Sequence, residues 1–293
     1  EALSLKTRGN PTILNNLGFT LTMLGVVYKE LGRYRDAIKT FGEAIESYKE
    51  ALGLVGWRDS IILNNLGNTQ SELGSLYEEL GRLEEAKRAL EEAIELYKKA
   101  LELSEWRDAI ALNNLGTAQY LLGGIHRKQE NYLEAGEILR EAIDSYRKAI
   151  ELTKGASMVA WSNLGSAQSL LGDVYMDLAK YKDAFRTYKE ALNSFKQAYI
   201  VVEKRYYYPL FRICLTKIKI CDALCMLGRC GLDDYWFALE SIAEFHSKFR
   251  ISEYTSFLLY MLFESIRKNK LPRNYVRLLM RRIVMLNLPL THL

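Results

Sequence analysis

The sequence predicts an all-α chain, a right-handed solenoid of helical hairpins closed at its C-terminus by capping helices. Three observations carry this. The string Asn15-Asn16-Leu17-Gly18 returns as Asn64-Asn65-Leu66-Gly67, Asn113-Asn114-Leu115-Gly116 and Ser162-Asn163-Leu164-Gly165, each time 49 residues on. A fixed period of that size marks a stacked array whose units cannot bury their apolar faces alone. Within each period, apolar and small residues recur at three- and four-residue spacing in two successive stretches, the pattern of paired amphipathic helices. Finally, 49% hydrophobic and 26% charged residues are ordinary values for a globular chain, and no apolar run reaches the roughly 18 residues that span a bilayer.

One period illustrates the elements. Leu17, Gly18, Leu21, Leu24, Gly25, Tyr28 and Leu31 give a first helix, which Gly32 ends in a left-handed cap, as Gly81 does one repeat later. A second helix starts near Asp36 and buries Ala37, Phe41, Ala44, Ile45, Tyr48 and Leu52. The chain then turns at Trp57-Arg58-Asp59, with Asp59 as N-cap of the next first helix, and Trp106-Arg107-Asp108 repeats the turn. Each helix should hold about 20 residues and run roughly 30 Å. Glu1-Ala2-Leu3 matches Glu50-Ala51-Leu52 at the same offset, so the sequence is expected to open inside a second helix, as a piece of a longer protein.

The pattern Leu24-Gly25, Tyr28, Gly32, Tyr34, Ala37, Phe41 and Ala44 resembles the tetratricopeptide repeat (TPR). It recurs as Leu73-Gly74, Tyr77, Gly81, Leu83, Ala86, Leu90 and Ala93. The third unit has Leu122-Gly123, His126, Tyr132, Ala135, Leu139 and Ala142, and the fourth Leu171-Gly172, Tyr175, Tyr181, Ala184, Tyr188 and Ala191. Two departures stand out. The Pro that usually ends the family's second helix is replaced by Lys49, Lys98, Arg147 and Lys196. The first helix also gains a heptad, Leu17-Gly18 before Leu24-Gly25, which prolongs the same packing face because residues seven apart differ by only about 20° around a helix. Both helices are therefore expected to be lengthened by about two turns.

The resemblance implies that first helices line a concave side. A stripe there reads Asn15, Phe19, Thr22, Val26, Lys29 in the first unit, and Asn64, Asn68, Ser71, Ser75, Glu78 in the second. It continues as Asn113, Thr117, Tyr120, Gly124, Arg127, then Ser162, Ser166, Ser169, Asp173, Met176. An Asn amide both donates and accepts, so a row of them suits the backbone of an extended peptide. The Asn-Asn-Leu string resembles the first helices of kinesin-light-chain-type repeats. That likeness implies peptide contact by Asn15, Asn16, Asn64, Asn65, Asn113, Asn114 and Asn163. Asn68, Tyr120, Ser166 and Asp173 join them as candidates from the stripe. The competing reading is that these small polar residues tie crowded helices together, and for the second Asn of each pair it is the favoured one. Lys29, Arg127 and Glu78 are too mixed in charge to form a clamp for acidic peptide tails.

The expected domains are residues 1–204, an array, and residues 205–293, a degenerate fifth hairpin with capping helices. The second segment holds 14 Lys/Arg against 7 Asp/Glu. Its basic run Arg267, Lys268, Lys270, Arg273, Arg277, Arg281, Arg282 is read as a solvated face. Tyr235–Phe249 and Tyr275–Leu286 are expected helices, and Ser256–Ile266, apolar nearly all round, a buried one. Cys214 and Cys221 fall 49 residues after Gly165 and Gly172 and should fill small packing positions. The spacing of the four cysteines resembles neither a zinc site nor a secreted disulfide framework, so no metal or cofactor is expected. His126 reads as a packing residue in place of Tyr28, Tyr77 and Tyr175, and no catalytic motif appears. The expected function is a non-enzymatic, cytoplasmic protein–protein interaction scaffold. It would hold a peptide or partner domain in its concave groove, with no membrane partner and no oligomeric state assigned. The alternative is a regulatory or sensor arm of a larger signalling protein, an NTPase or transcriptional regulator, contacting another domain of its own chain. Nucleic-acid contact through the basic end ranks third.

Overall fold

A computed structural model describes residues 9–286, 288 and 289. Twelve α-helices, and no strands, occur among them. They fall in two compact units, Glu1–Lys154 and Gly155–Leu293. The first unit contains three hairpins: α1 (Pro11–Glu30) with α2 (Tyr34–Leu54), α3 (Ser60–Glu79) with α4 (Leu83–Leu103), and α5 (Ala109–Lys128) with α6 (Tyr132–Leu152). First helices have 20 residues and second helices 21. The lengthening expected from the extra heptad and the missing Pro is therefore present in both.

Local chemistry sets the boundaries. Asn10, Asp59 and Asp108 sit in extended conformation and accept hydrogen bonds from the first-turn amides of α1, α3 and α5. Gly32, Gly81 and Glu130 end those helices at φ of 70°, 71° and 61°. Behind them the amides of Arg33, Arg82 and Asn131 close back on the carbonyls of Tyr28, Tyr77 and His126 at 2.8, 2.8 and 2.9 Å. The second helix starts at Tyr34, two residues before the Asp36 expected from sequence.

Two glycines per first helix fix how closely the hairpin closes. A Cβ on Gly67 would stand 2.8 Å from the Tyr97 ring, and one on Gly116 2.9 Å from the Tyr146 ring. One heptad later, Gly74 meets Leu90 and Gly123 meets Leu139, each at 2.8 Å. Gly18 and Gly25 repeat the arrangement against Tyr48 and Phe41. All six partner side chains are buried. The heptad inserted in the first helix and the extra turns of the second therefore match: each added Gly receives an added ring.

Stacking between hairpins buries the other side of each first helix. Leu66 and Leu73 of α3 share a core with Ile45 and Leu52 of α2. On α1 the corresponding Leu17 and Leu24 are 44% and 40% exposed, against 0% and 9% for Leu66 and Leu73. In the second repeat α2 thus covers this register.

The second unit holds α7 (Met158–Asp177) with α8 (Tyr181–Val201), α9 (Tyr207–Met226) with α10 (Leu232–Phe249), and α11 (Ser252–Lys268) with α12 (Arg273–Met285). Gly165 against Phe195 and Gly172 against Tyr188 keep the hairpin motif in α7 and α8. In α9 Cys214 and Cys221 are 0% and 1% exposed, as their register predicts. Tyr235, Leu239, Ile242 and Phe245 of α10 pack with Leu258, Leu259 and Leu262 of α11 and with Leu279 and Ile283 of α12. The expectation that residues 256–266 form a helix buried all round needs correction. Phe257 and Tyr260 are 45% and 49% exposed, because core covers only the Leu258/Leu259/Leu262/Ile266 side.

The glycine contacts generate a paired test. Gly67→Ala should destabilise the chain by about 1–3 kcal/mol through overpacking against Tyr97. Gly42→Ala, in α2 with open space around a Cβ, should instead stabilise by about 0.5–1 kcal/mol through helix propensity. Chemical denaturation of both variants checks this; equal shifts in one direction would refute the close-approach role.

Candidate functional site

The polar stripe of the first unit forms a ladder between repeats. Asn65 Nδ2 donates to Asn15 Oδ1 at 3.0 Å, and Asn114 Nδ2 donates to Asn64 Oδ1 at 3.2 Å. The first Asn of one repeat thus accepts from the second Asn of the next, and both rungs are partly buried. Thr22 and Thr69 hydroxyls meet at 2.7 Å, seven residues beyond Asn15 on α1 and four beyond Asn65 on α3. Asn16 lies exposed beside Asn15, its Oδ1 3.5 Å from Asn15 Nδ2. Asn113 and Tyr120 are half-buried on α5.

Against this ladder opens a cleft of about 310 Å³, lined by Phe19, Met23, Asn65, Asn68, Asn114 and Thr117, with Ser71 and Glu72 at its side and the Tyr48 and Tyr97 rings at its base. Of the sequence candidates it collects Asn65, Asn68 and Asn114. The second helices reach it through their tyrosines: Tyr97 OH donates to Asn68 Oδ1 at 2.7 Å, and Tyr146 OH donates to Thr117 Oγ1 at 3.1 Å. Burial pushes the Tyr97 and Tyr146 phenols far above their usual range, so both stay protonated donors. The stripe already named Phe19, Ser71 and Thr117. Tyr48 and Tyr97 register first as core because they face Gly18 and Gly67, and Met23 lies outside the stripe.

Charges flanking the cleft are paired. Lys29 bridges to Glu72 of α3, and Lys128 of α5 to Glu78 of α3 at 2.8 Å. Lys29 and Glu78 thus hold adjacent repeats together.

In the second unit the remaining candidates have internal partners. Ser166 Oγ donates to the Ser162 carbonyl of its own helix at 3.0 Å. Asp173 accepts from Tyr188 OH at 2.7 Å, and Lys219 Nζ of α9 reaches its two carboxylate oxygens at 2.8 and 2.7 Å. Asp173 thus joins three helices. Asn163 is half-buried on α7. Of the basic run, Arg282 pairs with Glu240 and Arg267 with Glu264, while Lys268, Lys270, Arg273, Arg277 and Arg281 are exposed.

His126 occupies the place of Tyr28 and Tyr77. Those tyrosines carry Arg33 and Arg82 over their rings at 4.5 and 4.4 Å, whereas the third hairpin has Asn131 at the arginine's place. His126 is buried, and its Nδ1 and the nearby Gln129 Oε1 lack hydrogen-bond partners. Burial first, then Lys87, lowers the imidazole's pKa, and Glu134, Glu91 and Glu84 only partly oppose this. No group of three or more ligating side chains that could hold a metal occurs among the described residues.

The helical hairpins, their 49-residue stacking and the Asn ladder define a repeat array of the tetratricopeptide class. Profiles described as tetratricopeptide repeat match residues 20–61, 68–100 and 116–148, so the chain carries tetratricopeptide repeats over those residues. Its structure is similar to BtubC (BKLC) from P. vanneervenii, with TM-score 0.57 and 17% identity over 81% of this chain and 82% of that one. It is also similar to the Podosopora anserina putative kinesin light chain with nearly identical TPR-like repeats. There the TM-score is 0.52, with 17% identity over 82% of this chain and 99% of that one. No curated protein matches the sequence. Among the described residues, no helix is long and apolar enough to cross a membrane. As a tetratricopeptide-repeat array, the chain is a protein–protein interaction scaffold.

Two measurements follow. A double-mutant cycle of Asn15→Ala and Asn65→Ala should show a coupling of about 0.5–1.5 kcal/mol in unfolding free energy; additive losses would mean the rung contributes nothing. For His126, the unfolded imidazole takes a proton near pH 6.5 while the folded one resists it. Its contribution to stability is therefore full above about pH 6.5 and is lost as pH falls toward the depressed folded value. His126→Tyr with Asn131→Arg should abolish that part of the acid sensitivity between about pH 7.5 and 5.5, read as the difference in urea midpoints. An unchanged pH slope would remove His126 from the account.

Proposed function

We propose that the cleft of the first unit holds an extended peptide or partner segment, with Asn65, Asn68 and Asn114 addressing its backbone and Phe19 and Met23 receiving an apolar side chain. The observation that carries this reading is the cleft itself, built by three successive first helices and lined by hydrogen-bonded amides. An Asn amide has two N–H donors and an oxygen with two acceptor sites. A rung spends one donor of Asn65 on Asn15, which fixes the side chain's orientation before any ligand arrives. Preorganisation of this kind lowers the ordering cost of binding. On this reading the same amides both tie the array and present it to a ligand.

Phe19 and Met23 are 52% and 46% exposed, large apolar groups at the mouth of an otherwise polar cleft. Lys29 is neutralised by Glu72 there, so the ligand segment in contact with it is expected to be uncharged. Each backbone hydrogen bond adds about 0.5–1.5 kcal/mol, and a buried apolar anchor about 1.5–3 kcal/mol.

The test is selection of binders from a displayed library of unstructured peptides, followed by titration against Phe19→Ala/Met23→Ala. Both side chains are solvent-facing, so the melting temperature should stay near that of the parent. Affinity should fall about tenfold or more, about 1.4 kcal/mol per factor of ten. Binders that ignore the double substitution, or a library that yields none, would defeat the proposal.

A further inference from the structure

The turn between α9 and α10 departs from the repeat in a way that creates new chemistry. The start of α9 lies 49 residues after the start of α7, but α10 begins 51 residues after α8. Two residues have been added where the four preceding hairpins turn in three, and they place Cys230 opposite Cys225. The two are joined as a disulfide, with Cα atoms 4.4 Å apart. Asp234 reaches back to the Gly231 amide at 2.8 Å and starts α10 behind the added residues.

This pair is set apart from the other two cysteines. Cys214 and Cys221 are enclosed in core, and burial pushes their thiols up, that of Cys214 to about 12; such thiols are inert. Cys225 and Cys230 are half-buried and line an open cleft of about 350 Å³, together with Asn269, Lys270 and Tyr275. A disulfide exchanges only where a thiolate can approach one of its sulfurs, and here the cleft supplies the approach.

Cys225 also touches a buried polar network. Its Sγ lies 3.5 Å from Tyr235 OH. That hydroxyl meets Ser265 Oγ at 3.2 Å and accepts from Asn269 Nδ2 at 3.0 Å. Ser265 Oγ and Asn269 Nδ2 both donate to Asp222, at 2.5 and 2.7 Å. One set of hydrogen bonds therefore joins α9, α10 and α11 beside the disulfide.

We propose that Cys225–Cys230 is a thiol–disulfide exchange site, opened by a low-molecular-weight thiol, whose state is read by the Tyr235–Asp222–Asn269 junction. The thiolate of the incoming thiol attacks Cys230 Sγ, the S–S bond breaks, and Cys225 leaves as a thiolate. A second thiol attacks the mixed disulfide and releases Cys230. The two thiols end as one disulfide, and their two electrons and two protons reside on Cys225 and Cys230. Once reduced, the Cys225 thiol carries an S–H donor that the disulfide lacks; donated to the Tyr235 hydroxyl oxygen, it competes there with Asn269 Nδ2 and loosens the junction.

The experiment equilibrates the full chain over a range of reduced-to-oxidised glutathione ratios, traps thiols with iodoacetamide under native conditions, and reads each cysteine by peptide mass spectrometry. Cys225 and Cys230 should pass together from disulfide to alkylated, while Cys214 and Cys221 label only after unfolding. Reduction should speed amide exchange in residues 231–235 and 265–269 by about tenfold, and Cys230→Ser should show the faster exchange without reductant. Tyr235→Phe should keep the titration but lose the response of residues 265–269. Alkylation of Cys225 and Cys230 at every ratio would overturn the proposal. So would exchange rates in those segments that ignore the thiol state.

Discussion

The structure depends on the contact between a glycine of one helix and the large side chain facing it. With no Cβ on Gly67 or Gly116, the aromatic rings of Tyr97 and Tyr146 lie against helix backbone. The two helices of a hairpin approach as closely as a buried tyrosine lying flat on backbone permits. Because the contact occurs twice per hairpin, one heptad apart, it also aligns the helices lengthwise. A single contact would allow them to pivot; two separated by roughly two turns do not. The longer period therefore preserves the packing rule of the family while extending the surface each hairpin exposes.

That rigidity gives the polar groups of the cleft their meaning. Tyr97 is held by its ring against Gly67, so its hydroxyl is delivered to Asn68, and the Asn65 amide is oriented by Asn15. Side chains that would be flexible on an isolated helix become fixed features of a surface. The charged residues at the edge follow the same logic, since Lys29–Glu72 and Lys128–Glu78 join first helices of neighbouring repeats. In an exposed setting such pairs contribute little stability, and their larger effect is to leave the cleft without net charge.

The end of the chain shows what happens when the repeat relaxes. Cys214 and Cys221 take over the glycine positions, and α10 begins two residues late. Gln119 and Gln168 accept from Ser145 and Ser194 of their hairpins' second helices. In the same register stands Lys217, bonded to Ser241 and 3.6 Å above the Phe237 ring. Burial lowers the lysine's pKa, the expected cost of placing a cation where the array has an amide. With no further hairpin in the 49-residue register, α11 and α12 supply Leu258, Leu262, Leu279 and Ile283 to the core.

Much of this was legible in the sequence. The 49-residue return of Asn-Asn-Leu-Gly gave the repeat, its glycines gave the packing positions, and the Asp and Asn before each first helix gave the caps. These are local or periodic properties, and helix geometry converts them into faces without any knowledge of neighbours. Tertiary structure alone decided which of those faces meets what. It turned the Asn pairs into rungs between repeats, gave Asp173 to Lys219 and Tyr188, left Phe257 and Tyr260 open on a helix that reads as buried, and brought Cys230 onto Cys225. Each of these outcomes rests on a distance between residues on different helices. A one-dimensional period fixes the direction in which a side chain leaves its helix, but the partner it meets is set by how the helices pack.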